Sequence, residues 1–213
     1  SYQVEAPSHS HQPSWKKILV KNIFPEPLLP LKELVSNIWW TWNDEACKLL
    51  DSIGVNRGSK HNPIRRIENL SVGEMEDLIN DQAFMTRLKE VHQEFKNYMN
   101  RPREEEGKRV AYFSMEYGLH TSIKTYSGGL GVLAGDYLKQ ASDSNKDLVA
   151  IGLLYRYGYF KQQINTSGDQ IALNKPQKFT QMPLEPVRDA DGKWMYINLV
   201  FPGRLITAKI WKL

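Results

Sequence analysis

The chain predicts an α/β protein that opens with a small all-helical unit, and three features of its 213 residues lead there. Between about residues 25 and 100, apolar side chains recur at helical spacing, and the runs are bracketed by capping residues. From Val110 to Tyr155 the order strand, glycine turn, helix, strand makes a βαβ unit, which demands parallel pairing. Past Gly158 the apolar residues fall in short runs split by turn formers, as antiparallel strands do.

Residues 1–18 read as a mobile tail, because Ser8 to Ser14 has no apolar period and several turn formers. His9 and His11 have no Cys, Asp or Glu close by, so no metal site is expected there. Residues 19–106 read as a helical domain. After Pro30, the residues Leu31, Leu34, Val35, Ile38 and Trp42 share one face of a continuous helix. Trp42 and its flanking neighbour Trp39 are therefore expected in the core, and Trp40, opposite them, on a partner surface. Asn43 caps a second helix with Asp44 and Glu45 in its first turn, and Gly54 ends it in the usual left-handed place. Asn62-Pro63 is a cap followed by proline at the first helical position, and Ser71 and Glu74 have capping-box spacing. A last helix carries Phe84, Leu88, Val91, Phe95, Tyr98 and Met99 on one stripe.

Residues 107–213, after the charged linker Arg101 to Gly107, read as part of an α/β domain. Val110 to Glu116 is expected as a buried strand and Gly129 to Ser142 as a helix. Leu148 to Tyr155 suits a strand covered on both faces. Gly158–Ile164, Trp194–Phe201 and Arg204–Leu213 are expected as antiparallel strands, the last two joined at Pro202-Gly203. Two parallel strands are too few for a doubly wound sheet, and the sequence stops inside an apparent strand. The expectation is a piece of a larger protein.

Composition narrows the function. The longest apolar stretch, Leu148 to Leu154, is broken only by Gly152 and falls far short of the ~20 residues a membrane helix needs. Cys47 is the single cysteine, so no internal disulfide forms, and with no base beside it in sequence it reads as a buried thiol. A cytoplasmic location follows from that reading. The net charge of +4 comes from basic residues interleaved with acidic ones, so no nucleic-acid stripe is expected.

The strongest local signal runs from Tyr126 to Asp136, between a strand and a helix. Gly128, Gly129 and Gly131 let backbone approach a ligand, and the helix that follows offers unpaired N–H groups to an anion. The spacing matches neither the dinucleotide fingerprint nor the P-loop, and a tight turn used for packing would also fit it. Upstream, Glu116 follows the first strand at the edge where open parallel sheets bind ligands. Its carboxylate suits sugar hydroxyls, and a plain surface glutamate is the other reading. Ser127 and His120 are secondary candidates, the histidine as a loop residue that either approaches a ligand or is simply solvated.

These same stretches, Val110–Leu119, Tyr126–Asp136 and Gly152–Gln162, resemble the bacterial α-glucan (glycogen/maltodextrin) phosphorylase family. Leu34 to Ala46 resembles the helical extension ahead of the catalytic body in one bacterial branch. The resemblance implies a two-domain GT-B fold with pyridoxal phosphate in the cleft between domains. It implies transfer of the terminal glucosyl unit of an α-1,4-glucan to inorganic phosphate, giving glucose 1-phosphate, with the cofactor's phosphate exchanging a proton with the substrate phosphate. Carried over, Gly128, Gly129 and Leu130 contact the phosphate and glucosyl region, and Glu116 lines the same pocket. Better-known members place Asn where this chain has Ser127. The family's cofactor lysine and cationic cluster belong to a carboxyl-terminal domain outside these residues. No complete catalytic set and no covalently held cofactor are therefore expected here, and the isolated chain is expected to be inactive.

Two other readings stand beside it. A nucleotide-sugar-dependent starch or glycogen synthase also opens with a Gly-Gly-Leu loop, but usually with Lys-Thr where this chain has Tyr126-Ser127. A non-catalytic module would bind glucan or a partner through Trp40 and the basic surface.

Overall fold

A computed structural model describes residues 24–55, 62–102 and 109–213. The expected tail at 1–18 and most of the charged linker lie outside these residues.

The helical part is built from α1 (Leu29–Val35), α2 (Asp44–Ser52), α3 (Pro63–Glu68), α4 (Val72–Asn80) and α5 (Gln82–Met99). The caps form as the sequence predicts. Asn43 Oδ1 accepts from the Ala46 N–H at 2.8 Å, and Asn62 Oδ1 accepts from Ile64 and Arg65. Ser71 and Glu74 bond reciprocally, and the Ser71 and Arg66 bonds hold the Glu74 carboxyl down to about 2. Gly54 has φ +80°, the left-handed conformation glycine takes most cheaply. One core collects Leu28, Leu31, Leu34, Leu49, Leu50 and Leu88, each almost fully buried. Met99, expected on the buried stripe of α5, is exposed.

The first helix is the main correction. It stops at Val35 instead of running through Trp42. Ser36 Oγ donates to the Lys32 carbonyl and Asn37 Oδ1 accepts from the Trp39 N–H, so both side chains compete with the helical ladder. A 3-10 turn over Trp39–Thr41 follows with a new phase. Trp40 turns inward to 2% exposure, and its carbonyl accepts from Cys47 Sγ at 2.8 Å. Trp42 is left half-buried. A partner surface built on Trp40 is thereby ruled out.

β1 (Val110–Phe113) and β2 (Leu148–Ile151) pair in parallel, with Val110 opposite Leu148, and α6 (Gly129–Asp143) crosses between them. The βαβ unit is as the sequence predicts. Its burial is not, because the described residues leave much of this two-stranded sheet uncovered. Phe113 is 69% exposed, and Val149 and Ile151 are also exposed. The remainder is antiparallel: β3 (Lys161–Ile164) with β4 (Gln170–Leu173), and β6 (Tyr196–Phe201) with β7 (Arg204–Lys209), turning at Gly203, φ +75°. The short β5 (Glu185–Pro186) pairs with β8 (Trp211–Lys212). Sequence periodicity missed β4 and β5.

Candidate functional site

The site grows from the carboxyl end of β1. Beyond Phe113 the chain leaves the sheet, and Ser114 Oγ donates to the Glu116 carbonyl at 2.8 Å to turn it. Tyr117 is then pinned. Its hydroxyl donates to the Tyr112 carbonyl at 2.6 Å, and its N–H donates to Thr125 across the loop. Gly118 next lies directly on the first turns of α6, its N–H donating to the Gly131 carbonyl at 2.7 Å.

That backbone-on-helix crossing explains part of the glycine pattern. A Cβ on Gly135 would sit 2.6 Å from the Gly118 carbonyl carbon, and one on Gly131 would sit 2.9 Å from Glu116 Oε2 and still closer to Tyr126. Gly118, Gly131 and Gly135 are therefore required by packing. Gly128 and Gly129 are not, because a Cβ on either would meet nothing within 4 Å and neither has positive φ. The signal for this division was in the sequence as a set of glycines, but spacing alone did not separate the two groups.

Glu116 faces the same turn. Its Oε1 accepts from Ser127 Oγ at 2.8 Å and its Oε2 from the Ser127 N–H at 3.2 Å. These two bonds, with help from the Gly128 and Gly131 N–H groups, hold the Glu116 carboxyl below the usual carboxylate range. Glu116 is thus ionised at neutral pH and serves as a capping anion for α6, whose N-cap Gly128 has no side chain to do so. The Gly129 and Leu130 N–H groups have no backbone partner among the described residues. Leu130 itself is 64% exposed.

Glu116, Ser127, Gly128, Gly129 and Leu130 therefore come together, and His120 stands apart from them. Its ring packs edge-on against Trp40 at 5.0 Å, and Nδ1 pairs with Ser122 Oγ at 2.8 Å. It lines a small cavity of about 10 Å³ with Val35, Asn37, Thr41, Asn62 and Pro183. Burial, reinforced by Lys139, pushes its pKa down to about 4. It is a neutral packing residue between the helical part and the α/β part.

The residues here do not by themselves fit pyridoxal phosphate. Neither the cavity at His120 nor the larger hollow of about 240 Å³, lined by Val110, Ala111, Tyr112, Tyr137 and Leu148, has a lysine or arginine in its wall. Among the described residues no group of three or more His, Cys, Asp or Glu is placed to hold a metal ion. No described helix is long and apolar enough to cross a membrane.

The chain thus has a parallel βαβ unit with an open glycine loop at the carboxyl edge of its sheet, the edge at which open α/β sheets bind ligands. Comparison with known proteins narrows the class. The family described as "Protein of unknown function (DUF3417)" matches residues 24–123. The maltodextrin phosphorylase of Thermococcus litoralis is 36% identical over 200 residues, 89% of this chain and 24% of that protein. The glycogen phosphorylase of Aquifex aeolicus is 36% identical over 187 residues, 85% of this chain and 27% of that protein. That of Mycobacterium tuberculosis is 30% identical over 211 residues, 92% of this chain and 24% of that protein. Along most of its own length the chain is similar to glycogen and maltodextrin phosphorylases, and it spans about a quarter of the length of these curated relatives.

Proposed function

We propose that this chain is the amino-terminal segment of a cytoplasmic α-glucan phosphorylase, with a helical domain over 19–106 and part of a GT-B domain over 107–213. Its task in that enzyme is to present one wall of the site where a terminal α-1,4-linked glucosyl unit meets inorganic phosphate. The observation that carries the reading is the division among the glycines. A Cβ on Gly128 or Gly129 would meet nothing within 4 Å, and both stand at a helix start with no N-cap side chain, where a ligand can use them.

The chemistry available follows from the geometry. The Gly129 and Leu130 N–H groups, at the positive end of α6, suit an oxyanion. Ionised Glu116, immobilised by Ser127, accepts from sugar hydroxyls with its remaining lone pairs. A bare phosphate beside that carboxylate is repelled unless cations balance it. Those cations and pyridoxal phosphate are assigned to parts of the enzyme outside this chain, so the 213 residues alone are silent in catalysis.

The test is to express the full reading frame and assay maltodextrin with phosphate for glucose 1-phosphate, beside Gly129→Val. Wild type is expected to form glucose 1-phosphate, and the variant to turn over ~10²–10³-fold more slowly through a lost backbone approach. Glucan extension from a nucleotide sugar, with no phosphorolysis, would establish the synthase reading instead.

A further inference from the structure

The carboxyl end of α6 is held entirely differently from its amino end. A helix leaves its last four carbonyls without intrahelical donors. Here Arg101 supplies two: Nη2 donates to the Ser142 carbonyl at 2.7 Å and Nη1 to the Asp143 carbonyl at 2.8 Å. The guanidinium is itself oriented, with Nε on the Tyr98 carbonyl at 3.1 Å and Cζ over the Tyr98 ring, 4.0 Å from its centroid. The Tyr98 hydroxyl lies 2.7 Å from both Ser142 Oγ and Asp143 Oδ1, and Trp42 Nε1 donates to Asp143 Oδ1 at 3.0 Å. Asn145, left-handed at φ +51°, closes the seam by donating to the Pro102 carbonyl at 2.6 Å. A fixed cation at a helix carboxyl terminus also suits the helix dipole.

The rest of α6 is sparsely packed. Gly131, Ala134 and Gly135 are its buried residues, whereas Leu130, Val132, Leu133 and Tyr137 are exposed. The helix is thus a stiff rod about 22 Å long, held at the Gly118 crossing, at mid-length by Leu138 and by the Tyr137 ring edge-on to Tyr112 at 5.3 Å, and at the Arg101 seam. Losing the seam loosens the far end of the rod and so the tilt at which its near end, beside Ser127–Leu130, is held.

We propose that the helical unit is a positioning device for the glycine loop: Arg101, braced by Tyr98 and Trp42, clamps the far end of α6 and fixes the tilt at which Ser127–Leu130 are presented. The consequence for turnover rests on the loop being the substrate-binding loop, as proposed above, while the clamp itself does not.

Hydrogen–deuterium exchange on the full-length protein separates the two. Arg101→Ala is expected to speed exchange across 126–143 about tenfold, through loss of two charge-assisted bonds, with 84–95 unchanged. Arg101→Lys, able to reach one carbonyl, is expected between the two. If Arg101→Ala does not fold, Tyr98→Phe, which keeps the ring under the guanidinium, is expected to give a smaller increase in the same peptides. Unchanged exchange at 126–143, or an equal rise at 84–95, would overturn the clamp. In phosphorolysis assays Arg101→Ala is expected to raise the KM for phosphate severalfold and leave the KM for glucan unchanged. A fall in kcat with both KM values at wild type would reduce the seam to a structural contact. A wild type that forms no glucose 1-phosphate would remove the substrate reading and leave the exchange result to decide the clamp.

Discussion

Replacing Trp40 by alanine should cost far more stability than replacing Trp42, although the two residues stand side by side in an aromatic-rich segment. Trp40 is 2% exposed, sits in the helical core and carries the His120 ring on its edge. Removing it deletes a wholly buried indole and leaves a cavity, a loss of ~3–5 kcal/mol. Trp42 is half-buried, with one hydrogen bond to Asp143 and the Lys139 ammonium 5.8 Å from its ring. Its removal forfeits partial burial and one modest bond, about 1–2.5 kcal/mol. Urea unfolding followed by far-ultraviolet circular dichroism avoids using tryptophan as the probe. With a slope of ~2 kcal/mol per molar, Trp40→Ala should move the midpoint by roughly 1.5–2.5 M and Trp42→Ala by roughly 0.5–1.25 M. Equal shifts, or a larger one for Trp42→Ala, would refute the inward turn of Trp40 and restore a continuous helix through Trp42.

Two further outcomes test the seam and the loop. Gly135→Ala, whose Cβ would meet the Gly118 carbonyl, is expected to destabilise by ~1–3 kcal/mol or more, while Gly129→Ala, facing open space, should leave thermal unfolding within about 0.5 kcal/mol of wild type; the reverse order would show that the loop glycines are the packed ones. His120 titrates at about 4 in the fold against 6.5 unfolded, so the unfolded chain takes up its proton first as pH falls. Stability from this group is complete above about pH 6.5 and is lost down to about pH 4; discounted for its partial exposure this is about 1–2 kcal/mol. The midpoint-against-pH slope in that window should flatten in His120→Gln, and an unchanged slope would place the ring in water.

Local chemistry was legible wherever a few neighbouring residues decide the outcome. The Asn43, Asn62 and Ser71 caps and the Gly54 and Gly203 turns all formed as the sequence predicts, because each needs only its own turn. The strand–loop–helix–strand order and its parallel pairing were legible because a helical crossover returns the chain to the sheet in the same direction. The phase of a helix past Val35 was not, because periodicity assumes the ladder continues, and Ser36 and Asn37 break it with bonds that apolar spacing does not register. Burial of β1 and β2 was misread because an apolar run reports what a strand is able to cover, not which partners lie over it. At the site, Glu116 and the glycines were found from residue type and edge position. The Ser127–Glu116 bond was not, since it depends on a loop closing over eleven residues.

The glycines show how packing and ligand demands can be told apart within one motif. Gly118, Gly131 and Gly135 let two backbones cross, so a substitution there is paid in stability whatever the protein binds. A Cβ on Gly128 or Gly129 would meet nothing within 4 Å, yet they stand where the helix has no N-cap side chain and where an ionised Glu116 is already fixed by Ser127. A bare helix start flanked by a single anion is an incomplete electrostatic site: it offers donors to a phosphate and simultaneously repels it. Such an arrangement discriminates only when cations arrive from another element, because then the carboxylate selects neutral hydroxyls on one side while the donors hold the anion on the other. Under the proposed function the chain supplies the half of the site that orients, and the half that neutralises charge approaches the open face of Gly128 and Gly129, where an added Cβ would meet nothing within 4 Å.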